Sequence, residues 1–216
     1  AGVSPDGVTF TSVIGACARA GFAAEAAALF ERMEGACIRP DDVAYNSVIN
    51  AYAKAGDVGH ADEAVAWFGR MEEANIHPSV TSFNSVIHAW ARAAQAGDAV
   101  MWLARMEAGA RRPDVISYTS AITACLASKP RRLDMAEDLF CRMLDNGVQP
   151  DKRLMATMSR AFGNRFDKFY QANVRARKSR RRAPRELRAH RARGEVQRGG
   201  RITSEASRPS AAGGSV

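Results

Sequence analysis

Cysteine and histidine, the side chains with the widest chemical repertoire, are few and widely spaced in this chain. The cysteines are Cys17, Cys37, Cys125 and Cys141, and the histidines are His60, His77, His88 and His190. No C-x-x-C pair occurs, and no histidine has a partner at the spacing of metal ligands. We therefore interpret the cysteines as small buried apolar residues in a reducing compartment, with a disulfide or a metal site as the alternative. The H-x-E pattern of zinc deaminases and the carboxylate clusters of metal nucleases do not occur either, so the sequence predicts no enzyme, no metal and no cofactor.

Positive charge is concentrated at one end of the chain. The 216 residues include 31 Lys and Arg against 23 Asp and Glu, a net charge of +8. Residues 165–216 alone carry +11 and the preceding residues −3, so bulk charge does not indicate what the larger part binds. We predict that residues 174–216 form a disordered tail, whose basic run Arg175–Arg193 contacts phosphates without sequence preference. A localisation signal and an unselected sequence are the alternatives for this run.

Five prolines recur at nearly constant spacing and bring a set of landmarks with them. Pro5, Pro40, Pro78, Pro113 and Pro150 are 35, 38, 35 and 37 residues apart. The methionine of an Arg-Met pair lies seven residues before each of the last four prolines. Matched apolar positions at such a period are the signature of a solenoid built from helical hairpins. We therefore predict an all-α protein, a right-handed α-solenoid whose stacked hairpins form a long concave surface.

Each repeat unit is predicted to contain two helices joined by a turn. The units span residues 7–41, 42–79, 80–114 and 115–151, with 1–6 as the end of a preceding unit and 152–173 as a partial repeat with a capping helix. The first helices are predicted over Val8–Arg19, Val43–Lys54, Thr81–Ala94 and Ile116–Ala127, and a fifth over Arg153–Phe162. The second helices are predicted over Ala23–Gly35, His60–Asn75, Asp98–Gly109 and Asp134–Asn146. Glycine tolerates a left-handed helix end, so the turns are expected at Gly21, Gly56 and Gly97. The additional residues of the second and fourth units, Asp57–Asp62 and Ser128–Asp134, are expected to loop out near these turns.

The second unit illustrates the landmarks that all four units share. Its segments are Val43-Ala-Tyr-Asn-Ser-Val-Ile49, Ala51-Tyr-Ala-Lys-Ala-Gly56, Trp67-Phe-Gly-Arg-Met-Glu72 and Ile76-His-Pro-Ser79. They resemble the V-T-Y-N-x-L-I, A-x-x-K-x-G, L-F-x-x-M and I-x-P-D patterns of pentatricopeptide repeats, a family of helical hairpins that bind single-stranded RNA. The resemblance covers Pro5 to about Gly163. The W-x-x-L-G-x-x-Y pattern of the tetratricopeptide repeat is absent.

The resemblance implies that each hairpin contacts one RNA base through two side chains. One is the polar residue after the aromatic residue of the first helix, and the other follows the proline that ends the unit. The pairs are Thr11 with Asp41, Asn46 with Ser79, Asn84 with Asp114, and Thr119 with Asp151. By the family code these pairs select G, C, U and G, in that order from 5′ to 3′. The closing residues also suit helix N-caps, and capping without base contact is the alternative for them.

Two further sets of residues share the face of the base-reading positions. Residues that pack against the bases in the family correspond to Val8, Val43, Thr81 and Ile116. Packing within the first helical turn is the alternative for these four. Eight residues after the first three reading positions lie cations that we expect to contact phosphate, namely Arg19, Lys54 and Arg92. Their alternative role is to stabilise the negative end of a helix.

The resemblance implies a sequence-selective RNA-binding module that acts in organelle RNA processing, stability or translation, in a mitochondrion or chloroplast. The expected partners are single-stranded RNA and RNA-processing proteins, with no membrane and no small-molecule substrate. A protein-interaction scaffold is the alternative, although a peptide groove gives no reason for Asn or Thr at one position of every hairpin. The chain begins at Ala1 within a loop that resembles the end of a unit, so we expect further sequence upstream.

Overall fold

The protein is built from helical hairpins. The computed structural model describes residues 5–109 and 111–174, and the chain divides into two compact units, Ala1–Ala161 and Phe162–Val216. The first helices of the hairpins are α1 (Gly7–Ala20), α3 (Asp42–Ala55), α5 (Val80–Arg92) and α7 (Val115–Ala127). The second helices are α2 (Ala23–Gly35), α4 (Val58–Glu73), α6 (Ala96–Ala108) and α8 (Leu133–Asp145), and α9 (Lys152–Phe162) follows them. Every regular element among the described residues is a helix, which confirms the predicted all-α architecture.

Each first helix begins after a residue whose side chain caps it. Asp41 accepts a hydrogen bond from the N–H of Ala44 at 2.8 Å, and Asp114 accepts one from the N–H of Ser117 at 2.9 Å. Ser79 caps α5 in the same way. Such a cap stabilises a helix by about 1 kcal/mol, and the proline just before it cannot continue the preceding helix. The recurring Pro-Asp and Pro-Ser pairs therefore start the first helices at equivalent positions.

In the first three hairpins, the turn between the two helices passes through one left-handed residue. Gly21 with φ 83° and Gly56 with φ 89° take this conformation in the first two hairpins. In the third hairpin Ala94 takes it, with φ 55°, and the predicted turn residue Gly97 lies inside the first turn of α6. The prediction for Gly97 was wrong because it relied on residue type. The turn instead closes around an alanine, through a hydrogen bond from the Gln95 N–H to the Trp90 carbonyl at 3.0 Å.

The additional residues of the two longer units are accommodated differently. In the fourth unit, residues 128–132 form the loop between α7 and α8, as predicted. In the second unit α4 starts at Val58 and has 16 residues, against 13 in α2, α6 and α8. The loop expected at Asp57–Asp62 was therefore wrong. Three inserted residues amount to nearly one helical turn of about 3.6 residues, so the lengthened helix still buries Met71.

The Arg-Met landmark joins consecutive hairpins. The methionines Met33, Met71, Met106 and Met143 are at most 1% exposed. The arginines that precede the last three methionines each form an ion pair with a glutamate of the preceding unit. The pairs are Arg70 with Glu34 at 3.0 Å, Arg105 with Glu72 at 2.8 Å, and Arg142 with Glu107. Each of these arginines thus has a carboxylate partner on the second-helix layer.

The cysteines are not uniformly buried as predicted. Burial raises the pKa of the Cys125 thiol to about 11, with the nearby Asp134 carboxylate adding to the effect. Cys17 and Cys141 are half-buried, whereas Cys37 is exposed. The prediction was wrong for Cys37 because this residue takes the left-handed position, φ 57°, after α2. No disulfide joins any of the four cysteines, all of which lie in the described part of the chain.

Residues 164–174, in the second unit, are also helical. Phe166 is buried, and its ring stacks on that of Tyr170 with centroids 6.2 Å apart. The capping role predicted for this helix stays a prediction, and the basic run Arg175–Arg193 lies outside the described residues. None of the described helices is long and apolar enough to cross a membrane.

Candidate nucleic-acid interface

The four predicted base-reading residues occupy one equivalent position. Thr11, Asn46, Asn84 and Thr119 are each the fifth residue of their first helix, and each is half-buried. The first helices pack in sequence, α1 on α3, α3 on α5 and α5 on α7. Equivalent polar side chains are therefore carried by neighbouring helices of one layer.

Two grooves collect most of the other predicted residues around this position. One, of about 680 Å³, includes Val8, Thr11, Arg19, Asp41 and Val43 in its lining. The other, of about 790 Å³, includes Arg92, Ile116, Thr119 and Asp151. Each groove brings one complete reading pair together with an aliphatic side chain and an arginine.

In the third pair, the two predicted reading residues are bonded to each other. The Asn84 amide nitrogen lies 3.2 Å from Oδ1 and 3.3 Å from Oδ2 of Asp114. Because a carboxylate only accepts hydrogen bonds, the amide nitrogen of Asn84 must face it. The Ser117 hydroxyl lies 2.5 Å from Oδ1 of Asn84, to which it donates. Asp114 thus caps α7 and also orients Asn84, so its two candidate roles are compatible.

All four closing residues make capping bonds, including Asp151, which accepts from the N–H of Leu154 at 2.7 Å. The second and fourth reading pairs leave one polar atom each without a partner. Oδ1 of Asn46 and Oγ1 of Thr119 are buried and make no hydrogen bond with any described residue. Leaving a buried polar atom unpaired costs about 1–3 kcal/mol. A bound group that supplied the missing hydrogen bonds would recover this free energy.

The predicted base-packing residues are exposed to solvent. Val8 is 74% exposed, Val43 52% and Ile116 59%, and Thr81 is also exposed. Packing within the first turn therefore leaves much of each aliphatic surface uncovered. A flat apolar ligand could cover it.

The predicted phosphate-binding cations have different surroundings. Arg19 is exposed and lines the first groove. The Lys54 ammonium donates to the carbonyl of Ala18 at 3.0 Å, near the end of α1. Arg92 lies over the end of α3, where a Cβ added to Gly56 would come within 2.8 Å of its Nε. Lys54 and Arg92 therefore meet the negative end of the preceding first helix, which is the alternative role stated above.

Among the titratable residues that line the second groove, the sequence pattern missed three, His88, Arg153 and Arg160. His88 and Arg160 each lie four residues after the reading position, or its equivalent in α9. The other first helices have Gly15, Asn50 and Thr123 there. No shared residue type pointed to that position. Burial lowers the pKa of His88 below its ordinary value of 6.5, and the nearby charges of Arg92, Arg153 and Lys54 lower it further.

Comparison with solved structures supports the hairpin fold. The pentatricopeptide repeat protein PPR10 from maize is 30% identical with a TM-score of 0.61, over 79% of this chain and 24% of the maize chain. PPR10 in complex with an 18-nt psaJ RNA element is 26% identical with a TM-score of 0.64, over 73% and 22% of the two chains. The chain thus spans about a quarter of the length of PPR10.

A more distant structure shares the fold. It is the PPR domain of Arabidopsis thaliana protein-only RNase P 1 in complex with tRNA, 15% identical with a TM-score of 0.63, over 79% of this chain and 88% of that domain. No curated protein sequence matches the chain. Residues 5–54 and 40–92 match the PPR repeat family, and residues 116–148 match the PPR repeat. These matches cover more than half of the chain, which therefore belongs to the pentatricopeptide repeat family.

Proposed function

We propose that this chain binds single-stranded RNA, with each of its four hairpins contacting one base, and that it prefers 5′-GCUG-3′. The observation that carries the proposal is the half-buried polar side chain at the fifth position of all four first helices, with an exposed aliphatic residue three positions before it in three of them. An unstacked RNA base offers the matching combination of a hydrogen-bonding edge and an apolar face. The complex of PPR10 with RNA supports the class of ligand.

The two asparagine hairpins differ in a way that supports different bases. Oδ1 of Asn84 already accepts from Ser117, and one amide N–H faces Asp114. The second amide N–H remains available to donate to O4 of uracil. Oδ1 of Asn46 has no donor among the described residues. It can accept from the N4 amino group of cytosine, which uracil lacks.

The two threonine hairpins combine a hydroxyl with a carboxylate. Oδ1 of Asp41 accepts the capping bond from Ala44, and Oδ1 of Asp151 accepts the one from Leu154. The second oxygen of each carboxylate can accept from the N1–H and amino group of guanine. A threonine hydroxyl can donate to or accept from the same base. This chemistry supports guanine at the first and fourth positions.

We further propose that the chain acts by occupying organelle transcripts, in a mitochondrion or chloroplast, where it blocks nucleases or recruits RNA-processing proteins. The proposal is for binding and assigns no reaction to the chain. Four base contacts of about 1–3 kcal/mol each must offset the loss of translational and rotational freedom on association. We therefore expect weak binding by this chain alone.

The test is an equilibrium titration of the full chain with labelled single-stranded RNA that contains GCUG, and with the same bases in scrambled order. We expect at least about tenfold tighter binding of GCUG, which corresponds to about 1.4 kcal/mol. The variant Asn46→Ala/Asn84→Ala should lose this preference. A matched control, Gln95→Ala/Gln171→Ala, changes two exposed amides outside the four first helices and should keep it. Equal affinity for both RNAs would contradict the base code, and the absence of any RNA binding would contradict the function itself.

A further inference from the structure

The helix α9 has the register of a fifth first helix but different side chains at the contact positions. Asp151 caps it as Asp114 caps α7, with its carboxylate on the N–H three residues later. This register places Arg153 where the other first helices carry an aliphatic residue or threonine, and Ala156 where they carry the reading residue. The helix that follows the fourth hairpin therefore lacks the means to read a base and presents a cation in its place.

Arg153 lines the second groove together with residues of α5 and α7. Arg92 and His88 come from α5, Thr119 comes from α7, and Arg153 and Arg160 come from α9. α7 has no charged side chain, so it contributes hydroxyl groups such as that of Thr123. We call this site the cationic groove.

The arginines of the cationic groove differ from those of the second-helix layer in having no acidic partner. Arg70, Arg105 and Arg142 each pair with a glutamate. Arg92, Arg153 and Arg160 form no ion pair with any described residue. The one carboxylate that lines the groove belongs to Asp151, and its Oδ1 is engaged in capping α9. The groove therefore holds an excess of positive charge that a bound anion would neutralise.

We propose that the cationic groove binds a backbone phosphate of the RNA strand on the 3′ side of the base contacted by Thr119. This inference rests on the proposed function and extends it. Base reading ends after the fourth hairpin, and a phosphate contact takes the place of a fifth base contact. Planar guanidinium groups suit this ligand, since they donate two parallel hydrogen bonds to phosphate oxygens.

Proton uptake should accompany this contact. The charged groups that affect His88 are Lys54 of α3, Arg92 of α5 and Arg153 of α9, and all of them disfavour its protonated form. A phosphate in the groove favours the protonated form, so the pKa of His88 rises on binding. A group whose pKa rises on binding takes up a proton. RNA affinity therefore increases as the pH falls through the pKa that His88 has in the complex, by at most about tenfold per pH unit for one proton, and becomes constant below the lowered pKa of the free protein.

The test compares the full-length variant Arg153→Gln/Arg160→Gln with the charge-matched control Arg32→Gln/Arg131→Gln. All four arginines are exposed, and circular dichroism checks the fold of both proteins. Each phosphate contact with a single strand contributes about −0.7 to the slope of log K against log salt concentration. We expect the groove variant to bind GCUG RNA about fivefold more weakly in about 0.1 M salt, with a slope smaller by about 0.7, the contribution of one phosphate. The control should match the wild type.

A second measurement follows the imidazole C2 proton of His88 by NMR, assigned with the variant His88→Asn. We expect the pKa of His88 to rise when RNA binds, and inorganic phosphate alone to produce a smaller rise at millimolar concentration. If the wild type prefers GCUG while the groove variant keeps its affinity and the pKa of His88 stays constant, the cationic groove is refuted and base reading stands. If no protein binds RNA, both proposals fail.

Discussion

A single carboxylate, that of Asp114, links helix capping to the proposed base recognition in the third hairpin. It accepts the N–H of Ser117 and also faces the Asn84 amide. In the second hairpin Ser79 caps α5, but its hydroxyl forms no bond with Asn46 among the described residues. The two pairs share one reading residue type and differ in the closing residue alone, which makes them a natural exchange experiment.

We predict that Asp114→Ser changes the preference at the third base from uracil to cytosine. Serine caps a helix about as well as aspartate, so the melting temperature should change little. The orienting bond to Asn84 disappears, which frees its amide to present the carbonyl oxygen to the cytosine amino group. Titrations with GCUG and GCCG RNA measure the change. The reverse substitution, Ser79→Asp, should move the second preference from cytosine to uracil, and an unchanged preference in both variants would show that the closing residues only cap.

At the residue scale, the sequence predicted candidate residues at equivalent positions but not their contacts. The equivalence of the candidate reading and closing positions was predictable because both are tied to the proline period. The Ser117 bond to Asn84 and the Lys54 bond to the Ala18 carbonyl each join different hairpins. Such contacts depend on the distance between stacked helices, which no local pattern contains. Arg153, which we propose as a phosphate contact, was missed because it departs from the pattern that identified its neighbours.

Among the turns within hairpins, the third has an alanine at the left-handed position that glycine occupies in the first two. Ala94 takes a left-handed conformation with φ 55°, which costs an ordinary residue about 1–2 kcal/mol. Gly21 takes the equivalent position in the first hairpin, where a Cβ would meet nothing within 4 Å. The two positions therefore separate the backbone effect from packing.

We predict that Ala94→Gly stabilises the protein by about 0.5–1 kcal/mol, because relief of the left-handed strain exceeds the entropy that glycine adds to the unfolded chain. The control Gly21→Ala should destabilise it by about 1 kcal/mol. Urea denaturation followed by circular dichroism measures both changes. If Ala94→Gly lowered stability, the methyl group of this half-buried residue would have to contribute packing that outweighs the strain.

The helices themselves were predictable to within two residues at every end, since capping residues and apolar periodicity are local properties. The path of the inserted residues was not predictable in the same way. Whether inserted residues loop out or lengthen a helix depends on whether the result returns the next apolar side chain to the core. In α4 the three inserted residues return the next apolar side chains to the core, where Trp67, Phe68 and Met71 are all buried. The period of the landmarks alone does not distinguish these outcomes.

Across the whole molecule, charge is divided between paired and unpaired sites. Arginines of the second-helix layer hold glutamates of the preceding hairpin, whereas those of the cationic groove have no acidic partner among the described residues. The chain as a whole has a net charge of +8. In the proposed function, long-range attraction to RNA and selection among bases therefore depend on different groups, and salt should affect them differently.

We predict that salt weakens RNA binding without removing its sequence preference. Between about 50 and 200 mM salt, the affinity of the full chain for GCUG and for scrambled RNA should fall about tenfold to a hundredfold, because counterions compete for the same phosphate contacts in both complexes. The ratio of the two affinities should change by less than about twofold, because base contacts release no counterions. Titrations at four salt concentrations measure both quantities. The variant Asn46→Ala/Asn84→Ala should keep the salt slope and lose the ratio. A ratio that approached one at high salt in the wild type would mean that selectivity itself is electrostatic, and that the half-buried polar side chains of the first helices do not contact bases.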